Sequence, residues 1–233
     1  MNVIILAAGI GSRLYPLTKN TPKCLLKINN DETILGRTLS ILKKDASEFH
    51  IRIIAGFEAN QIIEKFDDID IIVNPFFRIT NSIASLWFSK DLLSDEVTII
   101  NADVCFNSNI FEMINNCSNE NFVVLDSSKN CTDADYKIVV EENLVTDMGK
   151  SIPFDNFSGE YAGITHLNKE GASHLRNKLE EKLLREEYDT WYETAICELI
   201  KEGSMKVSIL DIAGQNWIEV DSEKELMYAK NNL

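Results

Sequence analysis

The sequence is poor in chain breakers and in positive charge. Four prolines and ten glycines in 233 residues are too few for a linker-rich or low-complexity protein. No apolar run approaches the roughly 20 residues that cross a bilayer as a helix. The five cysteines (Cys24, Cys105, Cys117, Cys131 and Cys197) form neither an even disulfide framework nor a CxxC pair for zinc, and read as reduced thiols. The apolar stretch Val3–Ala8 has no Lys or Arg before it and is too short for the core of a signal peptide, so a cytoplasmic location is expected. Against 37 Asp and Glu stand only 23 Lys and Arg, a net charge of −14. Such a surface repels polyphosphate backbones, and without a basic stripe it excludes nucleic acid as a partner. A small anion can still bind where a local cluster of amides and cations outweighs the global field.

What is present is a folded chain, 45% hydrophobic and 26% charged. Val3–Ala7 is a continuous apolar run that stops before Gly9, as a strand covered on both faces should. The spacing of Leu35, Leu39 and Leu42 predicts a helix over Ile34–Lys44. Strands are expected at Ile51–Ala55, Ile69–Val73, Val97–Asn101 and Phe122–Asp126, with helices at Ala59–Phe66, Ser82–Leu93 and Ile110–Cys117 between them. Beyond Asp126 the pattern changes to paired strands at Tyr136–Val140 and Leu144–Met148, then a strand at Tyr161–Leu167. Helices follow at Lys169–Glu187 and Thr190–Glu202, strands at Lys206–Leu210 and Trp217–Val220, and a last helix at Ser222–Asn231. No linker and no internal repeat divides the chain. The prediction is one α/β domain over residues 1–233, with a single mixed, mainly parallel sheet whose N-terminal half, 1–126, is Rossmann-like.

Directly after the first strand comes Leu6-Ala7-Ala8-Gly9-Ile10-Gly11-Ser12-Arg13-Leu14-Tyr15-Pro16-Leu17-Thr18, and shortly beyond it Thr21-Pro22-Lys23-Cys24-Leu25-Leu26. Gly9 and Gly11 let the backbone approach an anion, and successive N–H groups in such a loop make an anion-binding concavity. Ser12 adds a hydroxyl donor, and Arg13 and Lys23 add mobile cations. Together they suit a triphosphate, with Lys23 placed to stabilise charge that builds as a phosphate bond breaks. A dinucleotide fingerprint lacks its third glycine, since position 14 is Leu, and the absence of Gly-Lys-Ser/Thr excludes a P-loop. A bare glycine turn would leave Arg13, Lys23 and both prolines unexplained.

The pattern Leu-x-x-Gly-x-Gly-Ser-Arg-Leu-x-Pro-Leu-Thr-x-x-x-Pro-Lys-x-Leu-Leu over Leu6–Leu26 resembles the signature of the nucleoside-triphosphate transferases, the sugar-nucleotide pyrophosphorylases and their cytidylyltransferase relatives. The resemblance implies the nucleotide-diphospho-sugar transferase fold, with a nucleotide-binding half at 1–126 and an acceptor-binding half at 127–233. It also implies transfer of a nucleotidyl group from an NTP to a phosphorylated acceptor, release of pyrophosphate and dependence on Mg²⁺. Lys23 and Arg13 would carry the catalytic charge. Asp103, just past the strand Val97–Asn101, and Asp221, in Trp217-Ile218-Glu219-Val220-Asp221, would hold the metal, with Glu219 as a further outer ligand. Ala102 stands where the family usually has Gly. Nucleotide contacts would come from Leu6, Ala7, Ala8, Gly9, Gly11, Ser12, Gly56 and Ala102, and Asn81 and Ser85 would read the base edge. The Asn-bearing stretch around Asn81 is similar to that of bacterial choline-phosphate and phosphonate cytidylyltransferases, so CTP is the expected donor. The acceptor would meet Lys150, Glu160, Tyr161, Tyr192 and Glu193, an aromatic and acidic set suited to an ammonium group.

Structural roles compete for several of these residues. Asp221 or Ser222 could cap the last helix, Asn81 or Ser82 could cap the helix they precede, and Trp191 with Ile196 could be core. His50, His166 and His174 are scattered without a nucleophile nearby. Phosphocholine, aminoethylphosphonate and phosphorylated glutamine all fit as acceptors. The alternatives are a sugar-1-phosphate enzyme using UTP, dTTP or GTP, and a nucleotide-binding regulator without catalysis. A homodimer is common among the relatives.

Overall fold

The computed structural model describes residues 1–44, 49–128, 131, 135–153 and 155–233. The elements follow in chain order as β1 (Asn2–Ala7), α1 (Ile34–Lys44), β2 (His50–Ala55), α2 (Ala59–Lys65), β3 (Asp70–Val73), α3 (Ser82–Trp87), β4 (Val97–Asn101), β5 (Val104–Phe106) and α4 (Ser108–Asn115). They continue with β6 (Asn121–Asp126), β7 (Lys137–Glu141), β8 (Leu144–Gly149), β9 (Gly159–Leu167), α5 (Lys169–Leu184), α6 (Tyr192–Lys201), β10 (Ser208–Asp211), β11 (Trp217–Glu219) and α7 (Glu223–Asn232).

Among the described residues, the main sheet has the strand order β3-β2-β1-β4-β9-β6-β10-β8-β7, and β11 pairs with β5 in a separate two-stranded ribbon. The strands β3, β2, β1 and β4 are parallel neighbours, as the alternation of strand and helix predicts. The sheet is mixed, as expected, but the expectation that it is single and mainly parallel needs correction beyond that quartet. β9 runs antiparallel to both β4 and β6, and the hairpin β7–β8 adds further antiparallel pairs, so the sheet is mixed. β9 follows that hairpin and enters the sheet between β4 and β6, two strands laid down earlier.

The alternation along β1 builds two cores. Ile4 packs with Ile54, Ile99 and Val123 beneath α3, α5 and α6, whereas Val3 and Ile5 pack with Ile53, Ile100 and Phe122 on the opposite face. Successive strand side chains point to opposite faces, so a run apolar at every position is what a sheet covered on both sides requires. A third, smaller core joins Leu14, Leu26, Ile28 and Ile34 to Val220, Leu226 and Ala229. It pins the loop after β1 against α7 and the segment after β11.

Candidate active site

Four charged side chains converge at the carboxyl ends of β1 and β4, and each has a buried neighbour that aims it. Arg13 precedes buried Leu14, Lys23 precedes buried Cys24, Asp103 lies between buried Ala102 and Val104, and Asp221 follows buried Val220. The backbone fixes their spacing: the Ala102 amide donates to the Leu6 carbonyl at 3.1 Å, and the Val220 amide donates to the Asp103 carbonyl at 3.0 Å. Gly11 sits at φ +67°, and a Cβ there would stand 2.9 Å from Cβ of Lys23, so any other residue would displace the lysine stem. The Thr18 hydroxyl donates to the Gly11 carbonyl at 2.8 Å and closes the loop.

The Lys23 ammonium donates to Asp103 Oδ2 at 2.5 Å and to Asp221 Oδ1 at 2.7 Å, and the Arg13 guanidinium meets Asp221 Oδ2 at 2.7 Å. Burial opposes the lysine's charge, but Asp103 and Asp221 outweigh it and raise the Lys23 pKa above its ordinary value. Burial likewise opposes the charge of Asp221, and Lys23 and Arg13 overcome it to hold the carboxyl below the usual range. Glu219 offers an oxygen that, with one from each aspartate, forms a set lying within 4.8 Å of one another. Burial, with Asp103 and Asp221 beside it, pushes Glu219 well above the usual carboxylate range. Asp103 Oδ1 is buried without a hydrogen-bond partner. An orphaned carboxylate oxygen beside two other carboxylates fits an oxygen-ligated divalent cation such as Mg²⁺. Asp221 does not cap the last helix. That role falls to Ser222, which forms a capping box with Glu225 and leaves the Asp221 side chain to the cations.

Two adjoining cavities meet at this cluster. The smaller, of about 190 Å³, is walled by Ala7, Gly11, Ser12, Lys23, Ala102 and Asp221, and shares Leu6, Gly9, Arg13 and Asp103 with its neighbour. The larger, of about 310 Å³, runs from Ala8 past Asn81 and Ser85 to Lys150, Tyr161 and Glu193. Gly56 does not line either cavity. It lies behind the wall, where a Cβ would come 2.6 Å from the Ala8 carbonyl oxygen, so glycine there lets the two loops close on each other. The wall around Asn81 is braced by buried Asn74, whose amide donates to Thr80 Oγ1 at 3.2 Å and to Ser85 Oγ at 3.1 Å. Asn81 also caps α3, its side chain accepting the Ser82 amide at 2.8 Å, so the capping role and a place on the cavity coexist.

At the far end, Glu193 is buried in the first turn of α6. Its Oε1 accepts a long hydrogen bond from Asn101 at 3.4 Å, and its Oε2 has no partner. Burial pushes its pKa up to about 7. The Lys150 ammonium lies 5.6 Å from the centre of the Trp191 ring, and Tyr136 meets that ring edge to face at 6.3 Å. The Lys150 carbonyl accepts from the buried Lys137 ammonium at 3.0 Å, which anchors the end of β8. Two expected acceptor contacts are placed elsewhere. The Tyr192 hydroxyl is fully buried and bonded to the Tyr161 hydroxyl at 2.7 Å, so it supports the wall from within the core. Glu160, next to Tyr161 on β9, pairs in register with Lys137 and does not line the cavity. Trp191, for which a core position competed, is 43% exposed on the cavity rim. Asn101, Tyr136 and Lys137 escaped sequence reasoning. Asn101 stands two residues before Asp103 on the same side of the strand end, a signal that could have found it, whereas Tyr136 and Lys137 enter through tertiary packing alone.

A glycine loop, two cations and three carboxylates thus meet at one end of the cleft. The Nucleotidyl transferase family profile matches residues 2–141, and the chain belongs to this family. Over 97% of this chain and 98% of the relative, it is 24% identical to the CTP:phosphoglutamine cytidylyltransferase of Campylobacter jejuni. It is 41% identical to the choline-phosphate cytidylyltransferase of Haemophilus influenzae over 113 residues, 48% of this chain and 47% of the relative. The solved CTP:phosphocholine cytidylyltransferase of Streptococcus pneumoniae superposes with a TM-score of 0.81 at 25% identity, covering 96% of this chain and 95% of that one. Among the described residues no helix is long and apolar enough to cross a membrane.

Proposed function

We propose that the protein transfers CMP from CTP to a small phosphorylated or phosphonate acceptor bearing an amino or quaternary ammonium group, with release of pyrophosphate. The observation that carries this reading is the pairing, in one cleft, of the Lys23–Asp103–Asp221–Arg13 cluster with a buried, half-unsatisfied Glu193 at the opposite end. The first suits a triphosphate, and the second suits an ammonium donor. The full-length likeness to a phosphoglutamine enzyme and a phosphocholine enzyme, both using CTP, supports the same donor.

Asp103 and Asp221 would hold Mg²⁺, with Glu219 alongside; when bound, the ion supplies neutralisation of phosphate charge. The loop amides after β1, Ser12 and Arg13 bind the outer phosphates. Lys23 stabilises the charge that develops on the leaving pyrophosphate. Asn81 and Ser85 face the base. Lys150 draws the acceptor's phosphate or phosphonate oxygen toward the α-phosphorus, and that oxygen attacks in line as the bond to the β-phosphate breaks. The acceptor is already ionised at neutral pH, so no side chain need remove a proton. Glu193 receives the acceptor's ammonium, and the faces of Trp191 and Tyr136 flank it.

The related sugar-1-phosphate nucleotidylyltransferases share this fold, and a hydroxyl-rich acceptor is the second reading, because Glu193 Oε2 could accept from a sugar hydroxyl as well. Pyrophosphate release, measured with CTP, UTP, dTTP and GTP against phosphocholine, aminoethylphosphonate, phosphorylated glutamine and glucose 1-phosphate, separates the two. Turnover confined to CTP and an acceptor with an amino or quaternary ammonium group is expected. Turnover with a sugar phosphate and UTP, dTTP or GTP would replace the reading.

A further inference from the structure

Three of the four oxygens on Asp103 and Asp221 are already held by cations of this chain: Lys23 takes one from each aspartate, Arg13 takes the second of Asp221, and Asp103 Oδ1 alone has no partner. Among these four side chains two negative and two positive charges balance, with the Glu219 carboxyl beside them. A divalent cation bound to the aspartates alone would leave Lys23 and Arg13 stranded beside it. A triphosphate arriving alone would meet two carboxylates whose counter-ions it must share. Both together leave every cation with an anion.

The side chains are built for such an exchange. The stem of Lys23 is held against Gly11, but its ammonium end opens on the same 190 Å³ cavity as Gly11 and Ser12. Arg13 is 58% exposed along its side chain and lines both cavities. Lys23, Asp103 and Asp221 are only 15%, 21% and 18% exposed, so solvent screens their interactions incompletely and a misplaced charge is costly.

We propose that Lys23 and Arg13 act as exchangeable counter-ions that couple metal loading to the arrival of the triphosphate. The aspartates give up their cations to phosphate oxygens and become metal ligands in the same event. Without nucleotide, the pair of built-in cations keeps the metal out. This rests on the nucleotidyl-transfer reading and goes beyond it, because it couples two binding events through the chain's own cations and gives Lys23 a second duty.

The test is a titration of the full-length protein with Mn²⁺, read from the electron paramagnetic resonance signal of the unbound ion, with and without an unreactive α,β-methylene analogue of CTP. Wild-type protein binds Mn²⁺ weakly alone and tightly with the analogue. Lys23→Met tightens binding of Mn²⁺ alone by about tenfold or more, because a like charge has left the site. Lys23→Arg keeps the charge and stays near wild type. The coupling between metal and analogue shrinks in Lys23→Met, by the same reciprocity that links any two ligands. Should Lys23→Met not fold, Arg13→Gln gives a smaller gain of the same sign. Unchanged or weaker binding of Mn²⁺ alone in a folded variant that still takes up the analogue would overturn the proposal and leave the function standing. Equal affinity in wild type with and without the analogue would also overturn it. No Mn²⁺ binding under either condition, with no pyrophosphate formed from any NTP, would remove the functional reading and the proposal with it.

Discussion

The two ends of the cleft solve the problem of burying charge in opposite ways. At the end proposed for the triphosphate, Lys23 and Arg13 neutralise Asp103 and Asp221 through ion pairs of 2.5–2.7 Å and leave only Asp103 Oδ1 without a partner. At the acceptor end, Glu193 is buried with one oxygen unpartnered and the other in a 3.4 Å hydrogen bond. A buried polar atom without a partner costs about 1–3 kcal/mol, and in the proposed reading the acceptor's ammonium offsets that cost at Glu193. One end is organised largely by its own charges, whereas in the proposed reading the acceptor supplies the charge that the other end lacks.

Breaking the first end should have the largest effect. Lys23→Met is expected to lower turnover by about 100- to 1,000-fold at saturating substrates, the size seen when one charge-stabilising donor is lost. Pyrophosphate release measures it, and unchanged turnover would strip Lys23 of its role. At the second end, Glu193→Gln should raise the KM for an amino-bearing acceptor by about 10- to 100-fold, the loss of a charge-assisted hydrogen bond. The KM for CTP should hold. An equal rise in both would show that the two ends are not separable.

The same variant sharpens the contrast through stability. A carboxyl whose folded pKa is raised to about 7 from an ordinary 4.5 stabilises the folded protein most below pH 4.5. That contribution falls as pH rises and is gone above pH 7. Glutamine carries no such penalty. The gap in thermal stability between Glu193→Gln and wild type should therefore widen from pH 5 to pH 8 in the variant's favour, by up to roughly 3 kcal/mol. A gap independent of pH in thermal melts would mean that Glu193 ionises as it would in water. The smallest effect is expected for Trp191→Leu, which removes a half-exposed ring and should weaken an ammonium-bearing acceptor by about 0.5–2 kcal/mol, read as a KM increase.

Much of the fold was legible because hydrophobic period carries it. The helix predicted over Ile34–Lys44 matches α1 at both ends, and the strand Val97–Asn101 matches β4. The helix predicted over Ser82–Leu93 stops at Trp87, and Leu92–Ser94 forms a separate turn of 3₁₀ helix, though the apolar pattern runs on. The strand β5 went unseen because its three residues follow Asp103 directly and pair only with β11, far along the chain. The direction of β9 was not legible either, since an apolar run reads the same both ways and only the pairing partners on each side decide it. The cation loop was visible because Arg13 and Lys23 lie in one segment with the glycines. The acceptor wall was only partly so. Glu193 and Lys150 stood out by residue type, but Asn101, Tyr136 and Lys137 reach the cleft or its support by packing between segments that sequence alone does not join. The tyrosine pair Tyr161–Tyr192 shows the converse, two residues of suggestive chemistry of which Tyr192 is spent in the core.

The central claim is that the charged cluster and the buried glutamate belong to one reaction at the α-phosphorus of CTP. Phosphorus NMR of the protein with CTP, Mg²⁺ and an amino-bearing phosphate or phosphonate acceptor tests it most directly. A new diphosphate-type linkage joining CMP to the acceptor is expected, formed in equal amount with pyrophosphate and abolished in Asp221→Asn. CTP left intact with every acceptor, or cleaved to CMP without joining one, would contradict it.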